Sequence, residues 1–182
     1  MQNPSSSEPF TKGLVQLFTG NGKGKTSAAL GTIIRALGHG LRVYIVYFMK
    51  GDYPYGERRI LSKLPGVKMV SFGQKGFVDR ANIKPEEKEQ ARLALAAARE
   101  AMLSGNYDLI VLDEINVAAA WKLIEPNEVV KLINDKPQNV ELVLTGRGAD
   151  AELIERADLV TEMVKIKHPY DKGIKARKGI DY

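Results

Sequence analysis

The segment that decides the fold spans residues 18–30 and reads FTGNGKGKTSAAL. A short apolar run at residues 14–18 precedes it, and apolar residues at helical spacing continue from Lys25 to Leu37. A buried strand, a glycine-rich turn and a helix in this order are typical of phosphate-binding loops, in which backbone N–H groups and the positive end of the helix face phosphate oxygens. The segment therefore predicts phosphate binding, and a glycine-rich turn without a ligand is the alternative.

The glycine spacing departs by one residue from the common phosphate-loop pattern G-x-x-x-x-G-K-[ST]. That pattern would place its first glycine at position 19, where this chain has Thr19 followed by Gly20. At the other end Gly24, Lys25 and Thr26 keep the common register. The lysine adds positive charge at the phosphates, and the threonine hydroxyl can bind Mg²⁺.

Apolar runs alternate with helix-like segments along the rest of the chain. Strands are predicted at residues 14–18, 42–48, 67–72, 109–114, 140–146 and 158–167, and helices at 25–37, from Pro85 to about 104, and near Pro126. Continuously apolar strands that alternate with helices are typical of a parallel sheet covered on both faces. We predict an α/β fold with one three-layer domain at residues 13–182 and a mainly parallel sheet of about six strands. Residues 1–12 are predicted to form a flexible arm, and the basic stretch 167–182 is expected to order on binding.

The composition excludes several classes of protein. The chain has 182 residues, a formal net charge of +5, no cysteine and two histidines. Disulfides, thiol catalysis and cysteine- or histidine-rich metal sites are therefore excluded. The N-terminus lacks the pattern of a signal peptide and no apolar run could span a bilayer, so we expect a cytoplasmic protein without a membrane partner. The positive charge favours anionic ligands, both nucleotides and nucleic acid.

Two more candidate sites follow predicted strands, at the edge where open parallel sheets bind ligands. Asp113 and Glu114 close the strand at 109–114, where one carboxylate could bind the Mg²⁺ of ATP or instead cap the next helix. Because side chains alternate along a strand, only one of the two should face the ion. Arg147 follows the strand at 140–146 and could clamp a triphosphate or a ribose hydroxyl, or form a solvent-facing ion pair.

Four motifs together resemble the ATP:cob(I)alamin adenosyltransferases, the corrinoid adenosyltransferase family with a single P-loop domain. The motifs are LFTGNGKGKTSAALG, VLDEIN, LTGRGA and KHPYDKGIKARKGIDY, and the resemblance covers residues 13–182. It implies a RecA-like fold, a homodimer, and ATP held in reverse, with the γ-phosphate where an ordinary NTPase seats the α-phosphate. It also implies that the cobalt of cob(I)alamin, or of a related corrinoid, attacks the ribose 5′ carbon and that the whole triphosphate leaves. Mg²⁺ and a flavoprotein reductase are implied partners, whereas nucleic acid is not.

The resemblance assigns roles to individual residues. Lys25 stabilises charge on the triphosphate, Thr26 and Glu114 bind Mg²⁺, and Arg147 lies near the nucleotide. The residues that match the ATP loop of the family are Gly20, Asn21, Gly22, Lys23, Gly24, Lys25 and Thr26, with Ser27 beside them.

The stretch FGQKGFVDR matches the loop that faces the corrin ring in the family. Phe77 is the large apolar residue of this stretch and is assigned to the corrin side. Its alternative role is packing onto the core. The family tends to carry Phe and Trp two residues apart here, and this chain has Asp79 in the second position.

Two other functions remain open from the sequence. A P-loop ATPase acting on nucleic acid would fit the RecA-like resemblance and the basic tail, and would release ADP and phosphate. A non-catalytic regulator would bind ATP and corrinoid without forming a carbon–cobalt bond.

Overall fold

The computed structural model describes residues 11–51, 53–74 and 78–182. Phe77, predicted to face the corrin ring, lies outside the described residues, as does most of the predicted arm at residues 1–12.

Six strands form one sheet in which every pair of neighbours is parallel. The strands are β1 (Val15–Thr19), β2 (Val43–Tyr47), β3 (Val67–Ser71), β4 (Leu109–Asp113), β5 (Glu141–Thr145) and β6 (Leu159–Glu162). Their order across the sheet is β3-β2-β4-β5-β1-β6. The prediction of a mainly parallel sheet of about six strands is confirmed, and the last strand is shorter than predicted.

In the described residues, six α-helices connect the strands. They are α1 (Lys25–Gly38), α2 (Gly56–Leu61), α3 (Pro85–Leu103), α4 (Ile115–Ala120), α5 (Pro126–Asn134) and α6 (Ala151–Arg156). The three longest helices are those that the sequence predicts. The other three span six residues each, too few to show a helical period. The start of α3 is defined by Pro85 and by the Glu87 carboxylate, which accepts a hydrogen bond from the backbone N–H of Lys84 at 2.7 Å.

Apolar side chains cover the sheet on both faces, which makes three layers. One core places Ile33 of α1 and Leu61 of α2 against the sheet. The other packs α3, α4, α5 and α6 on the opposite face, with Met102 and Leu132 among its buried residues. Because all strands are parallel, the segments that follow β1, β2, β4, β5 and β6 leave the same edge of the sheet. No helix in the described part of the chain is long and apolar enough to cross a bilayer.

At the opposite edge of the sheet, a buried carboxylate joins the entries of two central strands. Asp108 precedes β4, and its carboxylate accepts hydrogen bonds from the backbone N (2.8 Å), Nε (3.1 Å) and Nη2 (2.9 Å) of Arg42, which precedes β2. Burial alone would raise the pKa of Asp108, but the hydrogen bonds from Arg42 hold it below its usual value. The ion pair therefore stabilises the fold above the pH at which this carboxyl titrates.

We predict that Asp108→Asn lowers the free energy of unfolding by about 1–3 kcal/mol at neutral pH. The lowered pKa means that this contribution is complete above the unfolded-state pKa of about 3.9 and is lost as the pH falls through the folded-state value. Urea unfolding across this range should show the two proteins converging at acid pH. Asp135→Asn is the control, because Asp135 pairs with Arg99 at the exposed surface and its loss should cost at most about 1 kcal/mol. A pH-independent difference would contradict the role of the Asp108 charge.

Candidate active site

The predicted phosphate loop lies between β1 and α1. Gly20 and Gly24 have positive φ angles of 95° and 129°, and Gly24 is the residue from which α1 begins. The Lys25 side chain is buried against the loop, and its Nζ donates hydrogen bonds to the carbonyl oxygens of Gly20 (2.7 Å) and Gly22 (2.8 Å). Burial, and then the nearby charge of Arg147, lower the pKa of Lys25. Glu114 and Asp113 act in the opposite direction but do not cancel this lowering.

The displaced glycine at position 20 has a physical reason in the packing of the chain after β6. The backbone N–H of Gly22 donates to the carbonyl oxygen of Met163 at 2.6 Å, which brings this segment directly against the loop. A Cβ atom on Gly20 would lie 2.5 Å from that same oxygen, closer than any side chain can approach. The preceding Thr19 ends β1, and its hydroxyl accepts a hydrogen bond from the backbone N–H of Ala149 at 3.3 Å.

Behind the loop, the Asp113 carboxylate joins three elements. Its Oδ1 accepts hydrogen bonds from the hydroxyls of Thr26 (3.0 Å) and Thr145 (2.7 Å), and its Oδ2 pairs with the Nζ of Lys50. Asp113 is only 1% exposed. Burial works to lower the pKa of Lys50, but the charges of Asp113 and Glu114 overcome it and raise the pKa. The Lys50 ammonium beside Asp113 therefore stays protonated at neutral pH.

Glu114 leaves the strand pattern, because β4 ends at Asp113. Glu114 adopts a left-handed conformation with φ of 67°, and its backbone N–H donates to the Thr145 hydroxyl at 3.0 Å. The alternation along a strand, from which the sequence predicted that only one carboxylate faces an ion, thus does not extend to Glu114. Burial raises the pKa of this carboxyl, and the adjacent charge of Asp113 raises it further.

A cavity of about 880 Å³ opens beside these residues. Of the residues predicted to bind ATP or Mg²⁺, eight line it: Gly22, Lys23, Gly24, Lys25, Thr26, Ser27, Glu114 and Arg147. Gly20 contributes its carbonyl oxygen to Lys25 instead, and Asn21 is exposed to solvent. Lys50, Tyr55 and the stretch 164–170 also contribute to the lining.

The oxygen ligands at this cavity suit Mg²⁺ that arrives with a polyphosphate. No group of three or more acidic or histidine side chains gathers around a common point in residues 11–51, 53–74 and 78–182. Mg²⁺ does not need such a cage, because one or two carboxylates and phosphate oxygens satisfy it. The Thr26 hydroxyl and the Glu114 carboxylate line the cavity, whereas both oxygens of Asp113 already have partners.

The sequence prediction missed Lys50, Thr145 and Asn116. The Nδ2 of buried Asn116 donates to the carbonyl oxygens of Phe18 (3.4 Å) and Gly146 (3.3 Å), which joins the ends of β1 and β5. Lys50 comes shortly after β2, and its meeting with Asp113 depends on β2 and β4 being neighbours in the sheet. Its signal in the sequence, a lysine after an apolar run, becomes informative only when the strand order is known.

The fold and the loop define a P-loop type of α/β domain. A solved structure of similar fold is the KaiC-like protein PH0186 from Pyrococcus horikoshii OT3, with a TM-score of 0.57 and 18% sequence identity. The match covers 87% of this chain and 76% of that one. At this identity the likeness shows the fold alone.

The family follows from the sequence comparisons. The family model described as ATP:corrinoid adenosyltransferase BtuR/CobO/CobP matches residues 11–182. The corrinoid adenosyltransferases of Escherichia coli (strain K12) and Salmonella typhimurium (strain LT2) are 37% and 36% identical, each over 94% of this chain and 86% of the relative. A Sinorhizobium corrinoid adenosyltransferase is 39% identical over 94% of this chain and 81% of its own length. The chain belongs to the ATP:corrinoid adenosyltransferase family.

We predict that Gly20→Ala lowers the free energy of unfolding by about 1–3 kcal/mol, because alanine would have to hold a positive φ and displace the Met163 carbonyl. Gly31→Ala in α1 is the matched control. A Cβ there meets nothing within 4 Å, so alanine should be neutral or stabilise the protein by about 0.4–1 kcal/mol. Chemical unfolding of the two variants provides the comparison. If neither variant lowers the free energy of unfolding, Met163 does not pack against the loop as described.

Proposed function

We propose that the cavity beside the phosphate loop binds ATP, Mg²⁺ and a corrinoid, and transfers the 5′-deoxyadenosyl group of ATP to the cobalt of cob(I)alamin or a related corrinoid. The products are adenosylcobalamin and inorganic triphosphate. The observation that carries this proposal is that Lys25, Thr26, Glu114 and Arg147 line one cavity, in a member of the corrinoid adenosyltransferase family.

The loop of residues 20–27 is proposed to bind the triphosphate of ATP. Lys25 and Arg147 supply positive charge, and α1 directs the positive end of its dipole toward the same space. In the reversed orientation the γ-phosphate enters the loop first and the ribose points outward. This orientation presents the 5′ carbon, rather than the γ-phosphorus, to the second substrate.

Thr26 and Glu114 are proposed to hold Mg²⁺ together with the phosphates. The ion would neutralise part of the negative charge that the triphosphate gains as it leaves. Asp113 accepts the hydrogen bond of the Thr26 hydroxyl, so it orients this oxygen from behind. The Lys50 ammonium compensates the buried charge of Asp113 without entering the metal site.

The reaction balances without an added acid or base. The cobalt of cob(I)alamin donates an electron pair to the 5′ carbon, the Co–C bond forms, and the C5′–O bond breaks with its electrons moving to the triphosphate. No proton is transferred, so no histidine is needed, and the protein supplies alignment and charge stabilisation.

Three further elements of the proposal depend on the resemblance to the family. Phe77, outside the described residues, is proposed to face the corrin ring. A flavoprotein reductase is proposed to supply electrons to cob(II)alamin, and the active protein is proposed to be a homodimer. The chain is not proposed to act on nucleic acid.

We predict that the purified protein, given Mg-ATP and chemically reduced cob(I)alamin, forms adenosylcobalamin and releases one inorganic triphosphate for each molecule formed. The absorbance change of the corrinoid measures the first product, and ion chromatography measures the second. Accumulation of ADP and phosphate would contradict the proposed function and favour a P-loop ATPase.

Lys25→Ala is the control for loss of activity in the same assay. Removing its charge-assisted hydrogen bonds to the triphosphate costs about 1.5–3 kcal/mol, so the rate constant should fall about 10- to 150-fold. An unchanged rate would mean that the triphosphate lies elsewhere.

We predict that Glu114→Gln raises the Mg²⁺ concentration needed for half-maximal activity by at least about tenfold, the scale on which even groups behind the ligands affect metal affinity. Asp113→Asn should act differently. It leaves Lys50 charged and unpaired in a buried place, so it should lower the free energy of unfolding by about 3–5 kcal/mol.

Metal titration and urea unfolding of both variants separate the two roles. Glu57→Gln, which removes another carboxylate from the cavity wall, is the matched control and should leave the Mg²⁺ requirement unchanged. The opposite ranking in the titration would move the metal role to Asp113.

A further inference from the structure

The chain after β6, residues 163–182, is packed against the phosphate loop and forms one side of the cavity. We call this segment the C-terminal strap. Its first residue, Met163, accepts the hydrogen bond from the Gly22 backbone at 2.6 Å. Its last residue, Tyr182, packs edge-on against Tyr53, with ring centroids 5.4 Å apart. Both ends of the strap are therefore attached near the cavity, and the residues between them lie along it.

A second lysine of the phosphate loop holds the far end of the strap. The Nζ of Lys23 donates a hydrogen bond to the carbonyl oxygen of Ile180 at 2.9 Å and forms an ion pair with Asp181. Asp181 also accepts hydrogen bonds from the backbone N–H (2.8 Å) and the Nε (3.0 Å) of Arg177. The Lys23 hydrogen bond, followed by those of Arg177, holds the pKa of Asp181 well below its usual value. The Asp181 carboxylate thus stays ionised across the physiological range.

The two lysines of GNGKGKT therefore have different partners. Lys25 is buried and bonds the carbonyl oxygens of its own loop, whereas Lys23 reaches out to the strap. A comparison of motifs alone would assign both lysines to the phosphates, whereas their hydrogen-bond partners show that the two side chains have different roles.

The strap brings positive charge to the cavity. Lys165, Lys167, Lys175 and Arg177 all line it. Lys165 pairs with Asp171 and Arg177 with Asp181, whereas Lys167 and Lys175 have no carboxylate partner among the described residues. Two cations of the strap thus line the same cavity as Lys25 and are available to an anionic ligand.

We propose that Lys23 and Asp181 are positioning residues that hold the strap against the phosphate loop, so that Lys167 and Lys175 bind the polyphosphate of ATP from the strap side of the cavity. This inference rests on the proposed function only in taking a polyphosphate as the ligand. The strap completes the wall of the site, and Lys23 acts through the strap rather than on the phosphates.

The absence of cysteine from the chain allows a direct test. Lys178 lies in the strap but does not line the cavity, so Lys178→Cys gives one thiol for a fluorescent label whose anisotropy reports strap mobility. Affinities for Mg-ATP and for inorganic triphosphate are measured on the same proteins. The variants are Lys23→Met, Lys23→Arg, Asp181→Asn, Asp181→Glu and the double variant Lys23→Met/Asp181→Asn. Lys63→Met, at an exposed residue that does not line the cavity, is the control for loss of a surface charge.

We expect Lys23→Met and Asp181→Asn to lower the label anisotropy and to weaken both ligands about two- to fivefold, the range for a solvent-accessible ion pair. The charge-retaining Lys23→Arg and Asp181→Glu should restore both readouts. The double variant should be no weaker than the worse single variant, because either single variant already removes the Lys23–Asp181 ion pair. Lys175→Met should weaken both ligands without a change in anisotropy, which separates binding from positioning.

Two results would overturn the inference. If anisotropy and affinity are unchanged in Lys23→Met, the ion pair does not hold the strap. If anisotropy falls and both affinities stay constant, the strap is held but does not touch the ligand. Failure of the proposed function would look different. The variants would still change triphosphate affinity as expected, but the wild-type protein would form no adenosylcobalamin.

Discussion

The site depends on one buried negative charge, the carboxylate of Asp113. Its two oxygens receive the hydroxyls of Thr26 and Thr145 and the ammonium of Lys50, so the start of α1, the end of β5 and the turn after β2 all meet at the end of β4. A buried charge that loses one partner is strongly destabilising, because nothing else solvates it. The contacts of Asp113 therefore hold the loops at this edge of the sheet together, and the adjacent Glu114 is placed by the same set through its N–H donation to Thr145.

The phosphate loop is held from two sides. On the side of the sheet, Asp113 fixes Thr26, and the buried Asn116 amide joins the strand ends beside the loop. On the other side, the strap lies so close that Gly20 and Gly22 leave no room for a side chain. The altered glycine spacing, which in the sequence is a departure from a pattern, is in the structure the condition for this contact. The same contact places strap cations at the cavity.

The electrostatics of the cavity suit a leaving group that carries several negative charges. Lys25 and Arg147 line the cavity, and the strap adds further cations, whereas Glu114 is the carboxylate that we propose as a metal ligand. Such a preorganised set of charges stabilises a departing triphosphate without rearrangement during the reaction. A nucleophile that already carries its electron pair needs only to be aligned, which fits a site whose charged groups we propose to hold the nucleotide.

By itself, the sequence determined the α/β class, six parallel strands, the three long helices and the phosphate loop, because period and propensity act over neighbouring residues. It also pointed to Lys25, Thr26, Glu114 and Arg147 as residues at one edge, since parallel strands end together. The short helices α2, α4 and α6 were missed because six residues show no period. Only the tertiary structure decided that Lys50 neutralises Asp113, that Glu114 turns out of its strand, and that Lys23 bonds Asp181. Lys50 and Asp113 are 63 residues apart along the chain, and Lys23 and Asp181 are 158 apart. The order of the strands in the sheet, rather than any local sequence pattern, brings each pair together.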